Sequence, residues 1–157
     1  MIKVFADYIS KSHQQQPRAD PCEGDLKCSF RIAKSDEDQH LVFGWASVAV
    51  REHGETVVDW QEDIVEMPEL EQAAYQYVQF YREGSEMHER GGFDVGILVE
   101  SMVFTAEKMA LLNIPEGTIP LGWWVGFLVT DEDVWQKIKD GTYRMFSIEG
   151  NAVREKV

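Results

Sequence analysis

Three apolar runs, 41–50, 95–104 and 121–129, place the tightest limit on what this chain can fold into. Each is rich in Val, Ile, Phe or Trp and is closed by turn or capping residues, the pattern of buried or half-buried strands. Leu41-Val42-Phe43-Gly44-Trp45-Ala46-Ser47-Val48-Ala49-Val50 meets the turn signal His53-Gly54-Glu55. Val95 to Phe104 gives way to Thr105-Ala106-Glu107-Lys108, the start of a short helical turn that Pro115 and Gly117 end. Leu121 to Val129 is an aromatic strand followed by Thr130-Asp131-Glu132-Asp133. None reaches the roughly 18 apolar residues of a bilayer-spanning helix, so no membrane span is expected. Partial alternation from Leu26 to Ala33, and a final strand from Tyr143 to Val153, complete the β inventory.

Between these runs the period changes. Leu70, Ala73, Ala74, Tyr77, Val78 and Tyr81 fall on one stripe of an amphipathic helix, with Pro68 suited to its first turn and Gly84 to its stop. A second helix is capped by the acids at 131–133, carries Val134, Trp135 and Ile138 on its apolar side, and closes at Gly141. Strands interrupted by two clear helices, with neither a βαβ repeat nor an internal repeat, predict an α+β protein built on a small, mostly antiparallel β-barrel with surrounding helices. At 157 residues the chain is long enough for one sizeable core. The stretch 1–24, polar and broken by Pro17 and Pro21, is expected to be an arm, and 25–157 the domain.

Charge narrows the function classes. Fifteen Lys and Arg against 28 Asp and Glu give a net charge of −13, with no basic patch, which argues against nucleic acid as a partner. Cys22 and Cys28 have no C-x-x-C spacing and read as free thiols. The opening Met1-Ile2-Lys3-Val4-Phe5-Ala6-Asp7 meets an acid before an apolar region forms, so a cytoplasmic origin is the expectation. No metal-binding or phosphate-binding motif is present, so neither a metal nor another cofactor is expected.

Ser147 stands in the last strand, where strict alternation puts Tyr143, Met145, Ser147 and Glu149 on one face and Arg144, Phe146 and Ile148 on the other. Strand context alone favours a surface or hydrogen-bonded strand serine. A nucleophilic hydroxyl needs a base. Of the histidines, His13 lies in the arm, His53 in a turn and His40 beside Asp36-Glu37-Asp38, each readable as solvated. His88 sits in the glycine-flanked loop Glu86-Met87-His88-Glu89-Arg90-Gly91-Gly92, from which a side chain can reach a cleft. Glu100, on a face otherwise made of Gly96, Leu98, Met102 and Phe104, is the candidate acid to orient the imidazole, with Glu149 as the alternative. A G-x-S-x-G elbow is absent around Ser147, which argues against an α/β-hydrolase.

Taken in order, His88, the strand Val99-Glu100-Ser101-Met102-Val103-Phe104-Thr105, Gly122-Trp123-Trp124-Val125-Gly126-Phe127, Val134-Trp135 and Phe146-Ser147-Ile148-Glu149-Gly150 resemble the phage prohead serine proteases of the XkdF type, over about residues 28 to 154. That family looks distantly related to herpesvirus assemblin, a small β-barrel with surrounding helices. The resemblance implies Ser147 as nucleophile, His88 as general base and Glu100 as third member, with Met145, Trp123 and Trp124 lining substrate pockets. It implies cleavage of phage scaffold and major capsid precursors, and of the protease itself, inside the assembling prohead in the bacterial host's cytoplasm. Homo-oligomer formation belongs to the same expectation. The competing reading is a catalytically inactive assembly module with the same fold, bound to scaffold or capsid.

Overall fold

The computed structural model describes residues 2–5, 32–36, 39–59, 63–86 and 95–150. Its elements in chain order are β1 (Ile2–Phe5), β2 (Ile32–Asp36), β3 (Leu41–Val50), α1 (Met67–Phe80), β4 (Glu83–Gly84), β5 (Gly96–Phe104), α2 (Ala106–Leu111), β6 (Leu121–Val129), α3 (Glu132–Lys139) and β7 (Ser147–Gly150). This is an α+β fold. Five strands form one curled antiparallel sheet in the order β2-β3-β6-β5-β4, and β1 pairs antiparallel with β7 in a separate ribbon. The Ile32 N–H donates to the Arg144 carbonyl at 2.8 Å, so the segment leading into β7 leaves from the β2 edge. β1 lies beside β4 at the opposite edge, and the ribbon thus bridges the two edges of the half-barrel. Ile2–Phe5, within the stretch expected to be an arm, are the partners of β7.

The central strand β6 shows why the sheet has one buried face. Its alternation turns Trp123, Val125, Phe127 and Val129 inward, all at most 5% exposed, and Gly122, Trp124, Gly126 and Leu128 outward. Glycine at 122 is a steric requirement, because a Cβ there would lie 2.4 Å from the Ser47 carbonyl oxygen, where β3 bulges between Trp45 and Ser47. Gly126 lets the Phe43 ring lie across the outer face, since a Cβ would come within 2.7 Å of it.

Helix α1 covers the inner face with Leu70, Ala73, Ala74 and Tyr77, the centre of the stripe predicted from the sequence, while Tyr81 packs against the core partly buried and Val78, at the stripe's margin, is exposed. The Tyr77 hydroxyl donates to the Glu83 carbonyl at 2.6 Å, and burial pushes that phenol well above its ordinary pKa. The helix stops earlier than Gly84: Arg82 takes the left-handed conformation at φ 60°, which leaves Gly84 to pair with Gly96 in β4. Thr105 and Asp131 cap α2 and α3 by accepting from the backbone N–H groups of Lys108 and Val134, and Gly141 closes α3 at φ 78°. Val134 and Trp135 complete the core with Tyr143 and Phe146.

Candidate functional site

Ser147 begins β7 opposite Phe5 of β1. Phe146 is 4% exposed and Ile148 packs against the core, so alternation turns the half-buried Ser147 to the other side of the strand. The lead-in differs from the expected continuous strand, because Tyr143 and Phe146, assigned to opposite faces, are both buried in the core. The physical reason is that the chain is still wrapped on the end of α3: the Tyr143 N–H donates to the Lys137 carbonyl at 2.9 Å and Arg144 Nε to the Gly141 carbonyl at 2.6 Å. Regular pairing starts only at Ser147.

A polar cluster ties this lead-in to Glu86, in the segment that follows β4. The Tyr143 hydroxyl donates to Glu86 Oε1 at 2.5 Å, and the same oxygen accepts from Lys137 Nζ of α3. Partial burial raises the Glu86 carboxyl, but the hydrogen bonds from Lys137 and Tyr143 outweigh it and hold it below the ordinary carboxylate range. Burial, then the hydrogen bond to Glu86, pushes the Tyr143 phenol up to about 12. The cluster is therefore a carboxylate shared by one ammonium and one neutral phenol at any pH near neutrality. Glu86 stands two residues before His88 and Tyr143 four before Ser147.

His88 itself lies outside the described residues, as do His13, Cys22 and Cys28. His53 is exposed in its turn, whereas His40 is half-buried and stacked on Trp135 at a ring separation of 4.7 Å, so it is a packing residue rather than a solvated one. Glu100 also departs from its expected surroundings. A bulge between Leu98 and Glu100 shifts the alternation of β5. Leu98 and Val103 pack inward, Ser101 accepts from the buried Trp123 Nε1 at 2.9 Å, and Glu100 is exposed on the outer face with Met102 and Phe104. A carboxylate there is solvated and needs no buried partner. Among the described residues neither Ser147 nor Glu100 has a side-chain hydrogen bond, and their strands belong to different sheets.

The three expected pocket residues divide between the two faces. Trp123 is 0% exposed and is held in the core by its bond to Ser101 and an edge contact with Tyr77. Trp124, half-buried on the outer face, packs edge-on to Trp45, which meets Phe104 in the same way. Met145 is half-buried just ahead of Ser147. Among the described residues no group of three or more His, Cys, Asp or Glu side chains converges on a metal-sized site, and no helix is long and apolar enough to cross a membrane.

The family described as "Putative phage serine protease XkdF" matches residues 29–156. The chain belongs to this XkdF family. Two proteins of Bacillus subtilis (strain 168) are similar to it. The "Uncharacterized protein YqbD" is 31% identical over 147 residues, 92% of this chain and 39% of that protein. The "Phage-like element PBSX protein XkdF" is 27% identical over 153 residues, 94% of this chain and 52% of that protein. The chain thus spans between two fifths and about half the length of these curated relatives. No solved structure matches it. Glu86, Lys137 and Tyr143 have no spacing in the sequence that singles them out as a cluster. Glu86 shares the 86–92 loop with His88 in the sequence, but only the fold brings it to Tyr143.

Proposed function

We propose that this XkdF-family domain is a serine endopeptidase that cleaves phage scaffold and capsid precursor proteins, and itself, during prohead maturation. Ser147 is the nucleophile and His88 the general base. His88 takes the Ser147 Oγ proton as the oxygen attacks a peptide carbonyl, and then delivers it to the departing amine. Water, deprotonated by the same imidazole, hydrolyses the acyl-enzyme and restores the serine. Glu100 orients the imidazole, its exposed carboxylate having no competing side-chain partner among the described residues. Glu149, two residues along the Ser147 strand, is the alternative acceptor. Met145 and Trp124, half-buried, are the pocket residues with surface to offer a substrate.

The observation that carries this reading is the match of residues 29–156 to a family described as a putative phage serine protease, and the Glu86–Tyr143 hydrogen bond, between the last described residue before His88 and the segment that leads into Ser147, is compatible with it. The test is labelling of the full chain with a fluorophosphonate, which phosphonylates an activated serine oxygen with loss of fluoride. One adduct by intact mass is expected on the native protein, none on Ser147→Ala and a much slower one on His88→Ala. An unlabelled native protein that still binds scaffold or capsid protein would support the assembly-module reading instead.

A further inference from the structure

The outer face of the five-stranded sheet is apolar like the inner one, and its side chains meet in rows, because directly opposite residues of paired strands point to the same side. Ile97 of β5, Leu128 of β6 and Leu41 of β3 are in register and form one row, which Glu83 of β4 continues at the sheet edge. Met102, Trp124 and Trp45 form a second, in which Trp45 stands edge-on to Trp124 and also to Phe104. Between the rows the Phe43 ring lies across Gly126, whose other neighbour on this face is Glu100. Ile97 is 50% exposed and Val99, at the bulge, 51%, while the remaining apolar residues of the rows are half-buried. An antiparallel sheet with one solvated face ordinarily shows water alternating polar residues there. A contiguous apolar face of this extent marks an interaction surface.

We propose that this outer face is the docking surface for an amphipathic helix of a partner protein, one whose apolar stripe is flanked by lysine or arginine. Charge selects the partner's chemistry. Of the outer-face strand positions whose side chains are described, only Glu83 and Glu100 are charged, both as exposed carboxylates, and the whole chain carries −13. The same sign disfavours a second copy, because two such faces packed together would set carboxylate against carboxylate. Geometry selects a helix. An extended peptide joins a sheet at its edge through main-chain bonds, whereas an apolar sheet face is covered by a helix or by another sheet. The outer two of β3, β6 and β5 lie roughly 10 Å apart, the width of a helix with its side chains. The inner face already has this arrangement, with α1 laying Leu70, Ala74 and Tyr77 against it. Docking here does not depend on Ser147 acting as a nucleophile, since it serves equally a peptidase that must hold its protein substrate and a module that only binds.

The test titrates the full chain carrying Ser147→Ala, which removes turnover on the protease reading, with three blocked peptides and follows NMR chemical shifts. The first is a leucine–lysine peptide with helical spacing of its leucines, the second its glutamate-for-lysine analogue, and the third a strictly alternating leucine–lysine peptide that forms strands. Ile97→Ser and Leu128→Ser each remove apolar surface from the face, and Phe80→Ser removes it from the far side of the sheet, where Phe80 is 69% exposed on α1. Thermal melts check that all three variants fold. The basic helix is expected to bind at least tenfold more tightly than the acidic one and than the alternating peptide. Ile97→Ser and Leu128→Ser should each weaken it at least fivefold, and Phe80→Ser by less than twofold. No binding of the basic helix overturns the proposal, and so does binding that Phe80→Ser weakens as much as Ile97→Ser, the mark of charge attraction alone. Equal binding of the alternating peptide would move the contact to a sheet edge and overturn it too, and a dimer in sedimentation that Ile97→Ser dissolves would give the face to a second copy. Binding in the expected pattern, with a native chain that cuts no capsid or scaffold protein, would retain the docking face and remove the peptidase.

Discussion

The Tyr143 hydroxyl reaches across 57 positions of sequence to donate to Glu86 Oε1. This bond joins two stretches that the topology otherwise keeps apart, the turn leaving β4 and the strand entering β7. Lys137 adds its ammonium to the same oxygen and lies over the Tyr143 ring, 5.5 Å from its centroid. If the cluster positions Ser147, the proposed nucleophile, Tyr143→Phe and Glu86→Gln each lower the rate of Ser147 labelling more than they lower stability. Each is expected to cost about 1 kcal/mol of folding free energy, the modest value of a partly exposed charge-assisted hydrogen bond. A double-mutant cycle by urea unfolding should show coupling of about 0.5–1 kcal/mol, and strict additivity would mean that the two groups do not interact in solution.

The same cluster sets a pH dependence. Glu86 titrates below its ordinary 4.5 when folded, so its contribution is present above that value and is lost as pH falls through the folded pKa. Lys137, raised above 10.5 chiefly by its hydrogen bond to Glu86, contributes below that value and loses it as pH rises. The Tyr143 phenol, raised from 10.0 to about 12, likewise contributes below 10.0 and loses its share on the way to about 12. Melting temperatures of native protein and Glu86→Gln should therefore differ by a constant amount between about pH 6 and 9 and converge in acid. A difference that grows as pH falls would contradict the assigned shifts.

Trp123 and Trp135 are the largest fully buried side chains, and the Trp123 indole N–H donates to Ser101. Trp123→Ala is expected to cost about 3–5 kcal/mol through the cavity it leaves. Ser101→Ala, which removes no bulk but strands a buried donor, should cost about 1–3 kcal/mol. Calorimetric or urea melts of the two variants check the order. Equal, negligible losses would show that Trp123 is not held in the core in solution.

The two outward glycines of β6 should respond differently to alanine. At Gly122 the new Cβ would meet backbone, the Ser47 carbonyl oxygen at 2.4 Å, which cannot step aside without opening the β3–β6 pairing. At Gly126 it would meet the Phe43 ring at 2.7 Å and the Glu100 Cβ at 3.0 Å, and a ring on a half-exposed face can rotate away. Gly122→Ala is expected to lower the urea midpoint by the equivalent of about 1–3 kcal/mol and Gly126→Ala by clearly less. The reverse order would contradict the register.

The parts of this fold that sequence patterning reaches are those with an uninterrupted period. The Leu70–Tyr77 stripe buries as its spacing predicts, and the acids at 131–133 cap and line the first turn of α3. Patterning fails where the backbone slips by one residue or bonds at long range. The bulge after Leu98 moves Glu100 from the apolar face expected for it to the solvated outer face, and no residue type near it announces the slip. The Tyr143 lead-in reads as strand because its alternation is compatible, yet bonds to Lys137 and Gly141 keep it on α3. The two-residue β4 and the burial of Ser85 beside it are consequences of tertiary packing and have no local signal.

We propose Ser147 as the nucleophile of an endopeptidase acting on phage assembly proteins. Intact-mass analysis after co-expression with a phage scaffold or capsid precursor, comparing the native chain with Ser147→Ala, decides it. Defined fragments with the native chain and an uncut partner with Ser147→Ala are predicted. Fragments that persist in the variant, or an uncut partner bound by a folded native chain, would contradict it.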